Sequence, residues 1–165
     1  TELLLIEPEG KNVRATKIGG TTDISAGQLI DRTGQLLELP FPSGKHLDAL
    51  SKTASDKTVF KVKCPGLEFS LSGVQNKVEQ YHRDHGESAE TAAYALRCVA
   101  NAVITATRNA QKQYPGLEVV FSGGVASNSM LREVIKPLNP IFSEPQYSTD
   151  NAMGVAVLAY RLMEG

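Results

Sequence analysis

The most informative hydrophobic pattern in the chain is an apolar run, Val119–Phe121, that leads into two glycines, Gly123 and Gly124. A helical pattern follows over Ala126–Ile135. Together these patterns predict a strand, a tight turn and a helix. Because glycine has no Cβ and the first turn of a helix has free N–H groups, the ring or phosphate of a nucleotide can approach the backbone here. The alternative is that the two glycines form only a turn.

The first third of the chain predicts a β-hairpin followed by a helix. Two β-prone runs, Glu2–Glu7 and Asn12–Ile18, flank a turn that contains proline and glycine. Gly19–Thr22 is expected to end the second strand, and Asp23 to cap a helix that reaches about residue 37. Gly27 costs this helix about 1 kcal/mol relative to alanine, so glycine at this position needs an explanation. Close packing against a neighbouring element is the commoner explanation, and close approach of a ligand is the other.

The middle of the chain predicts a short helix, an edge strand and a longer helix. Lys45–Ser51 forms the short helix, and the alternation over Val59–Lys63 is typical of an edge strand. Ser72 and Gln75 fit a capping box at the start of the longer helix, which ends near Gly86.

Two histidines near the end of that helix resemble part of a metal site. His82 and His85 are three residues apart, which puts both on one helical face, and Asp84 lies between them. The segment is charged, ends on a glycine typical of a C-cap and has no third ligand on a plausible face. A solvated helix end is therefore the preferred interpretation.

Helices and strands alternate in the second half of the chain. Its predicted elements are a long helix rich in small residues, two strands, a helix between them, a loop and a final helix: Ser88–Tyr114, Glu118–Phe121, a helix to about Lys136, Ile141–Phe142, Ser143–Tyr147 and Ala152–Met163. Such alternation favours parallel strands joined by helices, and the early hairpin adds an antiparallel part. We therefore expect an α/β fold with a mixed sheet and packed helices.

The predicted ligand site follows from this topology. In such sheets, ligands bind beyond the carboxyl ends of the strands. Both Gly123–Asn128 and Ser148–Asn151 follow a predicted strand and precede a helix. We expect these two junctions to lie at one edge of the sheet.

Composition narrows the class of protein. The 165 residues suffice for one domain or one lobe of a larger protein, and the 41% hydrophobic and 21% charged fractions are typical of a soluble globular chain. A formal charge of −1 excludes a basic nucleic-acid surface over the whole fold, although it permits a local patch. Cys64 and Cys98 are expected to be buried reduced thiols. No apolar run approaches the ~20 residues of a membrane span and no signal peptide is evident, so we expect a cytoplasmic protein.

Five motifs, in order and approximate spacing, resemble one family, the tRNA threonylcarbamoyladenosine transferases (TsaD-like), historically called O-sialoglycoprotein endopeptidases or glycoproteases. The motifs are Ala26–Gln28 with Asp31, Phe41–Gly44, Phe69–Gly73, Gly123–Asn128 with Leu131 and Arg132, and Ser148–Met153. The resemblance covers essentially the full chain. The resemblance implies that residues 1–165 are a single lobe, the second half of a two-lobed nucleotide-binding protein, and we expect the first lobe to be absent from this chain.

The resemblance implies a ribonuclease-H-like lobe of an actin-like ATPase fold, the fold shared with sugar kinases and chaperones. The family moves threonylcarbamoyl from threonylcarbamoyl-adenylate to the adenosine beside the tRNA anticodon. It therefore implies ATP or threonylcarbamoyl-adenylate as the ligand, tRNA as a substrate of the full-length protein, and partner subunits of a transfer complex. Thr1 matches the last residue of a family phosphate-binding turn.

The resemblance also assigns roles to individual residues. Asp31 matches the carboxylate that binds the adenylate ribose, and Gly44 a loop backbone at the nucleotide. Gly123 and Gly124 match glycines beneath the adenine, and Asn128 matches a polar side chain beside them. Each polar role has a structural alternative, because an asparagine in a first turn can bond to its own backbone.

A metal is implied through Asp150, which matches a ligand of iron, zinc or magnesium. A metal near the mixed anhydride would polarise its carbonyl during acyl transfer. Taken alone, Asp150 fits equally well as a helix cap or first-turn acid. The family's metal-binding histidine pair belongs to the other lobe, so His82 and His85 are not its equivalents.

Two departures from the family pattern leave other functions open. The family has glutamate after Gly27, where this chain has Gln28, which still hydrogen-bonds ribose but has no charge. Near Gly44 the family has a second glycine and a proline, where this chain has Ser43 and Lys45. These changes favour, as the alternative, a non-catalytic paralogue that binds nucleotide or a partner.

We expect the isolated chain to be inactive. A sugar-kinase-like phosphotransferase would need a carboxylate base and a phosphate loop that the sequence lacks. A peptidase would need a nucleophile–base pair or a complete zinc motif, and neither is evident.

Overall fold

The computed structural model describes residues 1–148 and 152–163. Its strands are β1 (Glu2–Glu9), β2 (Asn12–Thr21), β3 (Glu68–Phe69), β4 (Val120–Phe121) and β5 (Ile141–Phe142). Its α-helices are α1 (Ala26–Leu36), α2 (Gly44–Ser51), α3 (Ser72–His85), α4 (Ser88–Gln113), α5 (Ser129–Ile135), α6 (Pro145–Ser148) and α7 (Ala152–Met163). Two 3₁₀ turns, Gly124–Ser127 and Lys136–Leu138, flank α5.

The fold is α/β and contains a mixed sheet, as predicted. β1 and β2 pair antiparallel, and β3 joins β2 in parallel. β4 and β5 form a separate parallel pair, so the described strands make two sheets. The prediction that Gly19–Thr22 ends the second strand was partly wrong, because β2 continues to Thr21. Gly19 and Gly20 belong to β2, and their lack of a Cβ lets the backbone of Leu67 and of Thr1 approach without a clash.

The caps of α1 and α3 differ from the predicted ones. Ser25, not Asp23, caps α1, and its capping box is completed by Gln28. Asp23 instead accepts hydrogen bonds at the start of α3, from the amide of Leu71 at 2.8 Å and the hydroxyl of Ser72 at 2.7 Å. The capping box predicted within α3 was therefore wrong, because the carboxylate of Asp23, distant in sequence, accepts the hydrogen bonds at the start of the helix.

The hydrogen bonds around Asp23 also set its acidity. Desolvation acts to raise the pKa of this carboxyl, but hydrogen bonds from Ser70, Ser72 and Leu71 outweigh it. The net result is a pKa well below the usual range, so the carboxylate is charged wherever the protein is folded near neutral pH.

The predicted edge strand at Val59–Lys63 was wrong as well. In this segment, which has no regular secondary structure, the amide of Phe60 donates to the thiol sulfur of Cys98 and the amide of Val62 donates to Oδ1 of Asn101. Both partners lie on α4. Side chains of a helix therefore satisfy backbone groups that a neighbouring strand would otherwise pair with.

The long helix α4 lies at the centre of the fold and confirms the predicted packing helix. Its small residues allow α2, α3 and α5 to approach it closely. The buried residues of α4 include Ala92, Ala93, Ala95, Ala100, Ala102 and Ala106. Within the described residues, every helix is too short or too polar to cross a bilayer.

The C-terminal part of the chain agrees with one prediction and differs from another. The final helix is confirmed as α7, and its described residues are exposed. The predicted loop at Ser143–Tyr147 was partly wrong, because α6 begins at Pro145. Residues 149–151 of the predicted junction, including Asp150, lie outside the described residues.

The two histidines lie near the C-terminal end of α3, where His82 contacts α4 and His85 is exposed. The Nδ1 of His82 lies 3.0 Å from the hydroxyl of Thr91, and the ring of His85 stacks on Tyr81 with 4.1 Å between centroids. Gly86, with φ of 71°, ends α3 as expected for a C-cap. Among residues 1–148 and 152–163, no group of three or more His, Cys, Asp or Glu side chains could hold a metal.

Candidate nucleotide site

The two glycines that follow β4 line a cavity. This cavity has a volume of about 480 Å³ and lies between the start of β1, the start of α1 and the end of β4. Gly123, Gly124, Gly27 and Thr1 all line it. The structure therefore brings together three of the predicted site glycines, from two distant parts of the sequence.

The conformation of the glycine turn explains why glycine is needed there. Gly123 has a φ of 94°, a conformation that side chains rarely adopt, and it redirects the chain from β4 into the 3₁₀ turn. A Cβ added to Gly123 or Gly124 would meet no atom within 4 Å. The turn therefore presents open backbone to the cavity.

Gly27 lies open to the same cavity. A Cβ added to it would lie 3.8 Å from the nearest atoms, which belong to Ser25 and Val125, and this is ordinary contact. Close packing thus does not require glycine at this position. By contrast, a Cβ at Gly34 would overlap Ser43, so Gly34 is the packing glycine of α1.

Asn128 lies at the N-cap of α5, because the helix predicted from Ala126 is divided into the 3₁₀ turn and α5. Its Oδ1 accepts a hydrogen bond from the amide of Leu131 at 2.9 Å. Its Nδ2 donates to Oδ1 of Asp48 at 2.9 Å, and the residue is 8% exposed. The side chain is thus occupied by structural contacts, and its contact with a nucleotide stays a prediction.

Sequence reasoning missed Asp48. The same Oδ1 also accepts from the amide of Ser129 at 3.1 Å and from its hydroxyl at 2.8 Å. Asp48 therefore joins α2 to the start of α5 and holds the C-terminal end of the glycine turn. Since the partners are about 80 residues apart in sequence, no local pattern indicated the contact.

Asp31 lines a second, open depression of about 460 Å³, and Gly44 follows Ser43, which lines the same depression. Oδ1 of Asp31 accepts a hydrogen bond from the amide of Ser43 at 2.9 Å. Asp31 and Ser43 both line the depression, and Gly44 begins α2 directly after it. Within the described residues, nothing donates to Oδ2 of Asp31, so one carboxylate oxygen is available to a ligand.

The two cavities are related through α1. Gly27 and Asp31 are four residues apart, which puts them one turn apart on the same helical face. The side chain of Gln28 completes the capping box of α1, since its Oε1 accepts a hydrogen bond from the amide of Ser25 at 2.8 Å. Asp150, the predicted metal ligand, lies outside the described residues.

Known proteins resemble this chain over most of its length. The family model described as tRNA N6-adenosine threonylcarbamoyltransferase (TsaD) matches residues 9–157. A protein of that name from Carboxydothermus hydrogenoformans is 33% identical over 154 residues, which cover 87% of this chain and 46% of the relative. Another of that name, from Kosmotoga olearia, is 31% identical over 171 residues, covering 97% of this chain and 51% of the relative. The chain spans about half the length of the curated relatives it matches.

Fold and site together define an α/β domain in which a glycine turn lines one cavity and Asp31, on α1, lines another. The family match extends over nearly all of its elements. The chain belongs to the tRNA N6-adenosine threonylcarbamoyltransferase family, which confirms the resemblance based on its motifs.

Proposed function

We propose that this chain is the nucleotide-binding lobe of an enzyme that transfers threonylcarbamoyl from threonylcarbamoyl-adenylate to the anticodon-loop adenosine of tRNA. The observation that supports this most strongly is the open glycine cavity formed by Gly27, Gly123 and Gly124. It lies one helical turn from the available carboxylate oxygen of Asp31. Membership of the transferase family supports the same reaction.

The chemistry of these groups suits an adenylate. Bare glycine backbone admits a flat ring or a phosphate, because no Cβ stands in the way. A carboxylate oxygen accepts hydrogen bonds from ribose hydroxyls, which is the role proposed for Asp31. Ser43, which precedes Gly44 at the start of α2, already places its backbone N–H against Asp31.

A divalent metal, whether iron, zinc or magnesium, would polarise the carbonyl of the mixed anhydride when bound. Asp150 is proposed as its one ligand from this chain. The remaining ligands are proposed to come from the other half of the full-length protein, since the described residues contain no group of three candidate ligands.

The wider context is proposed on the same basis. The chain spans about half of its relatives, so we propose that it is one ribonuclease-H-like lobe, residues 1–165, of an actin-like fold. A second lobe would complete the cleft, and the full-length protein would bind tRNA and partner subunits in the cytoplasm. Alone, the chain is expected to be inactive in transfer.

One observation favours a second candidate function, a non-catalytic paralogue that binds nucleotide or a partner. The Oε1 of Gln28 is occupied by the amide of Ser25, so this side chain is less available to ribose. It also lacks the charge that glutamate would bring. The paralogue would share the nucleotide site but support no transfer when joined to the other lobe.

An amide NMR titration with ATP and Mg²⁺ tests nucleotide binding residue by residue. The expected shifts fall on residues 27–31, 43–45 and 122–128. Asp31→Asn is the matched variant, because asparagine retains an oxygen for the amide of Ser43 but replaces the available one with an N–H donor. The shifts should weaken strongly in that variant. Absent shifts at millimolar ATP, or equal shifts in both proteins, would contradict the proposal.

A further inference from the structure

A run of lysines lies on the segment that connects α2 to β3. Residues 55–66, called the strap below, contain Lys57, Lys61, Lys63 and a single acid, Asp56, in a chain whose formal charge is −1. All three lysines are exposed. Within the described residues, none of them makes an ion pair or a hydrogen bond. The strap therefore concentrates positive charge that the fold itself does not use.

The strap is fixed along α4 near both of its ends. At its start, Glu90 accepts hydrogen bonds from the amide of Ser55 at 2.8 Å and from the amide of Asp56 at 3.0 Å. At its end, the side chain of Asn109 donates to the carbonyl of Gly66 at 2.7 Å. Glu90 and Asn109 are about 28 Å apart along the helix. The strap covers this distance only if its backbone is nearly extended, so it follows the helix in a line.

The lysines and the apolar residues of the strap differ in burial. Val62 is buried and Cys64 is half-buried, and both pack on the core. Lys61 and Lys63 are exposed. In a nearly extended backbone, alternate residues lie about 6–7 Å apart, which is comparable to the distance between successive phosphates of a nucleic-acid strand. The strap thus presents its cations to solvent in a row and its apolar side chains to the core.

The acids on or beside the strap do not neutralise this row. Asp56 accepts hydrogen bonds from the amide of Thr58 at 2.8 Å and from the hydroxyl of Tyr81. The carboxylate of Glu90 is occupied by the backbone of the strap. Glu68 is exposed but lies in β3, beyond the end of the strap. An anion that approaches the strap therefore meets unpaired ammonium groups.

An aromatic ring interrupts the row of lysines. Phe60 is 38% exposed, and the Nζ of Lys77, on α3, lies 5.9 Å from its ring centroid. Cations interleaved with an exposed ring are typical of surfaces that bind single-stranded nucleic acid. A segment that binds a membrane surface presents an apolar face to the lipid, whereas Val62 and its neighbours on the strap pack on the core. This combination favours RNA over lipid as the partner.

We propose that the strap is a contact surface for the phosphate backbone of RNA, formed by Lys57, Lys61 and Lys63. The inference rests on the proposed function for the kind of RNA, a tRNA. It also goes beyond that function, because the strap lies outside the residues that line the two cavities. The lysines contribute affinity and position the RNA, and they do not read its sequence.

The salt dependence of RNA binding tests the proposal. Fluorescence anisotropy measures the affinity of the chain for a labelled single-stranded RNA and for a tRNA transcript between about 50 and 200 mM salt. The test variant is Lys61→Gln/Lys63→Gln. The matched control is Lys17→Gln/Lys136→Gln, which removes the same charge from exposed positions on β2 and on the turn after α5.

The test variant should bind both RNAs at least about tenfold more weakly than the native chain at about 0.1 M salt. Each phosphate contact on a single strand contributes about 0.7 to the slope of log K against log salt concentration, so the slope should also become shallower by about 1.4. The control should stay within a few-fold of the native chain. Phe60→Trp places the only tryptophan on the strap, and its fluorescence should change when RNA binds.

Several results would overturn the proposal. These are absence of RNA binding by the native chain at about 50 mM salt, an equal loss of affinity in the test and control variants, and RNA binding that leaves the fluorescence of Phe60→Trp unchanged. Phosphatidylserine vesicles and polyglutamate are the remaining probes. If either binds as tightly as RNA at equal charge, the strap is a general anion surface and the assignment to RNA is wrong.

This inference and the proposed function fail separately. ATP should shift the amides of residues 27–31 equally in the native chain and in Lys61→Gln/Lys63→Gln. If those shifts are present and the variant binds RNA as tightly as the native chain, nucleotide binding stands and the role of the strap is wrong. If the shifts are absent while the variant loses RNA binding, the strap binds RNA and the nucleotide site is wrong.

Discussion

Removing the Asp48 carboxylate should loosen the glycine turn at its C-terminal end. Asp48→Ala deletes three hydrogen bonds to one oxygen, two from Ser129 and one from Asn128. Loss of a helix cap costs about 1 kcal/mol, and hydrogen bonds to a charged group contribute about 1.5–3 kcal/mol. Because Asp48 is only partly buried, we expect a loss of about 2 kcal/mol, which lowers Tm by about 4–8 °C in a chain of this size.

Thermal and urea unfolding measure this loss. Asp48→Asn keeps an oxygen in place without the charge and should lose less stability than Asp48→Ala. Asp84→Ala removes an exposed carboxylate on α3 and should change the free energy of unfolding by no more than about 0.5 kcal/mol. If Asp48→Ala is no less stable than Asp84→Ala, the contact between α2 and α5 does not hold the turn.

Three further predictions concern other parts of the chain. Gly27→Ala should raise the free energy of unfolding by about 0.5–1 kcal/mol and weaken ATP binding, which chemical unfolding and calorimetry would measure. Gly34→Ala should instead destabilise the fold, because its Cβ would overlap Ser43. If Gly27→Ala destabilises the fold, Gly27 does not face an open cavity. The lowered pKa of folded Asp23 means that its stabilisation is present above about pH 4 and is lost as pH falls, so Asp23→Asn should lose less stability between about pH 5 and pH 3; equal acid slopes in urea unfolding would count against this. Burial raises the pKa of the Cys98 thiol to about 11, so the folded chain should protect it from alkylation at neutral pH, as mass spectrometry would show, and rapid labelling would refute its burial.

Local patterns were sufficient for most of the elements. The hairpin, the long helix α4 and the strand before the glycine turn follow from alternation, helical periodicity and glycine placement. These signals depend on neighbours in sequence, so one sequence is enough to detect them. The clustering of Gly27 with Gly123 and Gly124, by contrast, joins distant parts of the sequence, and the motif resemblance rather than a local pattern assigned all three to one site.

The errors share a physical cause, contacts between residues distant in sequence. Asp23 caps α3 across almost 50 residues, which no capping-box pattern at Ser72 reveals. The backbone at Phe60 bonds to Cys98 on a helix, although its alternation is that of a strand. Asp48 was missed for the same reason, because its partners are supplied by the start of α5.

The central claim is tested most directly by the dissociation constant for ATP with Mg²⁺, measured by isothermal titration calorimetry on the native chain and on Asp31→Asn. Loss of a hydrogen bond to a charged oxygen predicts binding at least about tenfold weaker in the variant, with unchanged Tm. Measurable binding that is equal in the two proteins would show that Asp31 does not hold the nucleotide. No binding by the native chain would contradict its assignment as a nucleotide-binding lobe.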